Sequence, residues 1–111
     1  MTAPEDLPYK LKKRELIAET NGLRVQILAI APGKKIPWHY HTEVTDTFFC
    51  LEGPMVVETR DPDGKHILDP GGTCVVPVGV PHVVSGLAGG SCRFAIVQGI
   101  GEHDFILAED D

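Results

Sequence analysis

The stretch from Gly33 to Gly53, GKKIPWHYHTEVTDTFFCLEG, carries the densest chemistry of the 111-residue chain. His39 and His41 lie two positions apart. On an extended strand, alternate side chains share a face, so both imidazoles point the same way. Imidazoles held together on a rigid face suit a borderline divalent cation. Asp46 opens the next run in the same parity as Phe48 and Cys50. One face of that run therefore carries a carboxylate, an aromatic ring and a thiol. Glu43 shares parity with His39 and His41 and is a second candidate carboxylate. An isolated H-x-H pair is more often two half-buried polar side chains than a site, so its meaning depends on its surroundings.

Those surroundings are all turns and short runs. Gly and Pro number 12 and 9, well above the average of roughly 7% and 5%. The hydrophobic share of 42% and mean hydropathy of -0.01 are too apolar for a disordered Pro/Gly-rich segment. Turn signals recur at Asn21-Gly22, Pro32-Gly33, Gly53-Pro54, Pro62-Asp63-Gly64, Pro70-Gly71-Gly72, Gly79-Val80-Pro81 and Gly89-Gly90. Between them, apolar or alternating runs predict strands over 24–31, 38–41, 46–51, 55–59, 66–68, 73–76, 82–85 and 92–97, with one more at 105–107. Many short strands joined by tight turns predict an all-β sandwich or barrel and exclude a helix bundle, a coiled coil or a doubly wound sheet. Residues 10–19 fit a helical period poorly and read as a leading strand. No repeat or linker divides the chain, so a single domain over 1–111 is expected, with residues 1–20 serving as an arm or leading strand.

Ten basic and sixteen acidic residues leave a net charge of -6. That field repels phosphate backbones, which argues against a nucleic-acid partner. The opening MTAPEDLPYK has no apolar signal core, and no run reaches the ~18 apolar residues of a membrane-spanning helix. The three cysteines, Cys50, Cys74 and Cys92, cannot form a closed disulfide set. The expectation is a cytoplasmic protein with reduced thiols and no membrane partner.

A third histidine, His82, follows the stiff turn Pro77-Val78-Gly79-Val80-Pro81. With it, the chain reaches a resemblance. Gly33, His39, His41, Asp46 and Gly53 are spaced like the first cupin motif, G-x5-H-x-H-x(3,4)-E-x6-G. Gly71, Pro77, Gly79, His82 and Gly86 are spaced like the second, G-x5-P-x-G-x2-H-x3-N. Two positions depart in type: Asp46 stands where the family has Glu, and Gly86 where it has Asn. The resemblance implies a double-stranded β-helix, a small jelly-roll barrel. It also implies a divalent metal (iron, manganese, nickel or zinc) held by His39, His41, His82 and Asp46. Asp reaches about 1.5 Å less far than Glu, so its backbone must come closer or a water must intervene. Only Asp46 keeps the six-residue step to Gly53, and it is preferred to Glu43.

The resemblance further implies a homodimer built through N-terminal strands and a small-molecule substrate or ligand. The function expected is a metal-dependent dioxygenase, isomerase or decarboxylase acting on a small organic acid, sugar acid or aromatic compound. The alternative is a non-catalytic binding or sensing module with a structural metal or none. Candidate pocket residues are Phe48 and Cys50, by parity with Asp46, and Arg93, as a partner for a substrate carboxylate. Trp38, Tyr40 and Phe49 fall in the opposite parity and are expected outside the barrel, while His66 and His103 are expected in solvent.

Overall fold

The computed structural model describes residues 11–109. Ten strands are present among them: β1 Lys13–Thr20, β2 Leu23–Ile30, β3 Lys35–Tyr40, β4 Thr45–Glu52, β5 Met55–Thr59, β6 Gly64–Leu68, β7 Thr73–Val76, β8 His82–Gly86, β9 Cys92–Gly99 and β10 Ile106–Leu107. A 3-10 turn at Leu87–Gly89 is the only helical element among the described residues. They include no helix long and apolar enough to cross a membrane. The strands form two five-stranded sheets, ordered β1-β2-β9-β4-β7 and β10-β3-β8-β5-β6. All pairings are antiparallel. This is the all-β two-sheet architecture expected from the turn spacing, and the jelly roll that the resemblance implies. The expected strand at 10–19 appears as β1, while residues 1–10 of the predicted arm lie outside the described residues.

Strand register explains where the site sits. Across the first sheet, the inward side chains line up in rows. Arg24, Gln98, Asp46 and Val76 form one row. Gln26, Ile96, Phe48 and Cys74 form the next, and Leu28, Phe94 and Cys50 the one beyond. One end of the inner face is therefore polar and the rest apolar. In the second sheet, His39 pairs with His82 and His82 with Thr59, while Ile36, Val84 and Val57 form the neighbouring row. Closing the two sheets face to face brings the histidines onto Asp46 and packs the apolar rows together. Phe48, Phe94, Ile30, Met55 and Val57 are among the fully buried core side chains. Burying each contributes about 1.5–3 kcal/mol.

Two glycines shape the strand that carries His82. Gly79 has φ of 78°, a left-handed conformation that L side chains resist. Its N–H donates to the His41 carbonyl at 2.8 Å, tying the turn before β8 to the strand that carries the other two histidines. Gly86 ends β8 against the next loop. A Cβ there would lie 2.0 Å from the Gly90 carbonyl oxygen. The loop backbone thus fills the space that a side chain at this position would need.

Candidate metal centre

Four side chains meet between the sheets. His39 comes from β3, His41 from just past its end, Asp46 from β4 and His82 from β8. All four are buried, and one ligand atom from each lies within 4.8 Å of the others. Metal–nitrogen and metal–oxygen bonds of roughly 2.0–2.2 Å put ligands on opposite sides of an ion about 4.2 Å apart. The cluster is thus already near the size of a coordination shell.

The hydrogen bonds decide which nitrogen each ring presents. His39 Nδ1 donates to the Pro37 carbonyl at 2.6 Å, His41 Nδ1 to the Asp104 carbonyl at 2.5 Å and His82 Nδ1 to the Val80 carbonyl at 2.9 Å. Each backbone carbonyl holds a proton on Nδ1, so Nε2 is the nitrogen left to face the centre. Such outer partners set the tautomer and orientation of metal-bound imidazoles. Nε2 of His41 and of His82 each lie 2.9 Å from Asp46 Oδ2. Lone pairs aimed at one carboxylate oxygen need a positive charge among them. Protons supply it only by making buried imidazoles cationic, whereas one divalent ion serves all four groups. The donor set therefore fits a divalent metal.

Protonation equilibria divide the rings: His39 is held neutral, whereas His41 favours the proton that a metal at Nε2 would displace. Burial, then the neighbouring His82, brings the His39 pKa down to about 3, so its ring is neutral at physiological pH. Burial opposes charge on His41 too, but the hydrogen bond and charge of Asp46 outweigh it and raise that pKa. Burial likewise opposes ionisation of Asp46, yet hydrogen bonds to His41 and His82 hold its carboxyl well below the usual carboxylate range. Asp46 stays ionised. The shorter carboxylate reaches the imidazoles directly, while Glu43 is exposed and accepts from the Glu102 backbone N–H at 3.1 Å.

The family model for the Cupin domain matches residues 26–98, more than half of the chain. This chain belongs to the cupin family. The cupin is 40% identical over 65 residues to quercetin 2,3-dioxygenase of Bacillus subtilis (strain 168). The match covers 57% of this cupin and 18% of the dioxygenase, so the chain spans less than a fifth of that relative. Among solved structures, it resembles a conserved double-stranded β-helix protein of Klebsiella pneumoniae at 21% identity. The TM-score is 0.75, over 98% of this cupin and 91% of that chain. It also resembles oxalate oxidase in complex with the substrate analogue glycolate, at 16% identity and a TM-score of 0.72. That match covers 86% of this cupin and 54% of the oxidase. The structural likenesses establish the fold.

The other expected pocket residues divide. Phe48 lines the cavity beside the cluster, and its ring meets His82 edge-on at 6.1 Å. Cys50 faces inward but lies two rows from the polar end, sealed in the apolar core with 1% exposure, and does not line the cavity. Arg93 does not enter the barrel. Cys92, Phe94 and Ile96 take the inner face of β9, so Arg93 points outward, where its Nη1 lies 3.4 Å from Glu52 Oε2. Trp38 lies outside, as expected, beneath the Arg60 guanidinium at 3.8 Å.

The sequence reading missed the segment following β9. Phe105 stacks on His39 with ring centres 4.2 Å apart, and Asp104 supplies the carbonyl for His41. His103 is half-buried rather than solvated. It lies 5.2 Å from the His41 ring, and burial, then the Arg24 charge, brings its pKa down to about 4. Arg24, Gln26 and Gln98 were missed as well, though a signal existed. Each shares parity with buried aliphatic or aromatic neighbours on its strand, and a polar group on a buried face must have a partner.

Proposed function

We propose that this cupin is a divalent-metal-dependent enzyme acting on a small organic acid, sugar acid or aromatic substrate. His39, His41, His82 and Asp46 would hold the metal, which is iron, manganese, nickel or zinc. The observation that carries the reading is three buried imidazoles, each oriented by a backbone carbonyl, around one buried carboxylate. When bound, such an ion supplies Lewis acidity and, if redox-active, electrons for oxygen chemistry. The chain contributes the rest. Phe48 and Phe105 wall the cluster with apolar surface, while the buried Arg24 sets a positive charge in the same lining. That charge favours an anionic substrate. The relatives support the chemistry, one being a quercetin 2,3-dioxygenase and another an oxalate oxidase seen with glycolate. Both names point to oxygen chemistry, and the first favours dioxygenation over isomerisation or decarboxylation.

A second reading, a non-catalytic module, is favoured by one observation. The cavity beside the cluster measures only about 20 Å³, room for roughly one water or ion. The test is elemental analysis of protein purified without chelators or a nickel column. Stoichiometric iron supports oxygen chemistry, and zinc or nickel supports hydrolytic or isomerising chemistry. Metal-free protein that also takes up none of the four ions overturns the enzyme reading in favour of the module. His82→Ala is expected to lose most of the metal while remaining folded, and full occupancy in that variant would sink the four-ligand assignment. We further infer that the protein forms a homodimer, since β1 is an edge strand with no described strand on its outer side, and that it works in the cytoplasm, whose reducing conditions suit the free Cys50, Cys74 and Cys92.

A further inference from the structure

We infer that Gln98 is the positioning residue for Asp46, and that a one-way relay of hydrogen bonds across four strands holds it in that role. The inference rests on the metal-site reading above. Gln98 on β9 lies directly opposite Asp46 on β4. Its Nε2 donates to Asp46 Oδ1 at 3.0 Å. That bond occupies one carboxylate oxygen and leaves Oδ2 as the atom facing His41 and His82.

An amide offers either end to a neighbour, so the orientation needs a cause. Gln98 Oε1 accepts from Arg24 Nη2 at 2.9 Å, Arg24 Nε at 3.2 Å and Gln26 Nε2 at 3.3 Å. Reversing the amide would set its N–H groups against a guanidinium and another amide donor. It would also turn its oxygen onto a carboxylate. Gln26 is fixed in turn, because its Oε1 accepts from Arg14 Nε at 2.7 Å. Every donor therefore points the same way, from Arg14 on β1 through Gln26 on β2 and Gln98 on β9 to Asp46 on β4. Buried polar networks rigidify when every member is satisfied, and no buried side-chain nitrogen or oxygen among the described residues lacks a partner. Gln98, Gln26 and Arg24 are buried at 6%, 4% and 6% exposure, so water does not compete for these bonds. The short carboxylate and the relay act as one device. Asp46 brings a single oxygen to the cluster, and Gln98 keeps the other from reaching it.

The test is Co(II) titration of chelator-stripped full-length protein, read by visible absorption and by competition for affinity. Wild type is expected to bind, and Gln98→Met, similar in length but without a donor, to bind roughly 10–100-fold more weakly. Its absorption bands should also shift, because a freed Asp46 carboxylate changes the ligand field. A purely structural role would lower stability without moving the bands. In an Asp46→Asn background, Gln98→Met should have little further effect on affinity. Gln98→Met binding within about twofold of wild type, with a superimposable spectrum, overturns the inference. If Gln98→Met does not fold, Gln26→Met decides, since it loosens the relay one step further out. A several-fold loss then supports the relay, and unchanged affinity and bands overturn it. Wild type that takes up no Co(II) overturns the metal-site reading itself, a failure visible before any variant is compared.

Discussion

Returning the family's asparagine to position 86 is expected to damage this barrel. A Cβ on Gly86 would lie 2.0 Å from the Gly90 carbonyl oxygen, 2.5 Å from its carbonyl carbon and 3.0 Å from the Ser91 carbonyl carbon. Ordinary carbon–oxygen contacts are about 3.3–3.6 Å, so more than an ångström must be recovered. All three obstacles are backbone, which cannot swing aside as a long side chain does. The surrounding loop is also tied down. Gly90 N donates to the Leu87 carbonyl at 2.9 Å, Gly33 N to the Gly89 carbonyl at 2.9 Å and Leu87 N to the Pro54 carbonyl at 3.0 Å. Moving the loop strains or breaks at least one of these bonds, at about 0.5–1.5 kcal/mol each. Overpacking adds about 1–3 kcal/mol. Gly86→Ala and Gly86→Asn should therefore both lose about 2–4 kcal/mol, the clash being with Cβ itself. For a domain of this size, that lowers Tm by roughly 10–25 °C. Gly79→Ala is the control: its φ is 78° and nothing lies within 4 Å of the added Cβ. It meets only the left-handed backbone penalty of about 1–2 kcal/mol. Thermal and urea unfolding followed by circular dichroism ranks the variants. A wild-type midpoint for Gly86→Ala, or less damage there than at Gly79→Ala, would refute the steric argument.

Two other expectations concern the thiols and the edge strand. Burial, then the nearby Cys50, pushes the Cys92 thiol up to about 12, so at pH 8 it should react with a disulfide reagent roughly 10³-fold more slowly than in the unfolded chain, where the pKa is about 8.5. Because the folded state holds this proton more tightly, stability should be full below about pH 8.5 and fall as pH rises above it; rapid native labelling of Cys92, located by mass spectrometry, would contradict the burial. Light scattering after size exclusion should give the mass of a dimer, and Ile17→Asp on the exposed face of β1 (Ile17 is 53% exposed) should shift it to monomer. A monomeric wild type at micromolar concentration would remove the edge-strand pairing.

Much of the site was legible because its logic is local. A period of two places His39 with His41 and Asp46 with Phe48, whatever the rest of the chain does. The turn glycines and prolines mark strand ends, and Gly79 sets the turn from which His82 begins β8. What parity leaves undecided is which face goes inside when both are apolar. In Cys92–Gly99, Ala95 and Val97 alternate with Phe94 and Ile96, so sequence alone gives Arg93 no side. The larger Phe94 and Ile96 take the core, and Arg93 is left outside with Glu52. Register is likewise a tertiary matter. Arg24 and Gln98 are 74 positions apart, and Gln98 and Asp46 are 52 apart. Only the pairing of β2, β9 and β4 makes them one row. The histidine cluster thus belongs to the sequence, through strand period and turn chemistry. Its anchoring by Gln98 and Arg24, and its cover by Phe105, belong to the fold, because hydrogen bonds and ring contacts between distant segments exist only once the two sheets have closed.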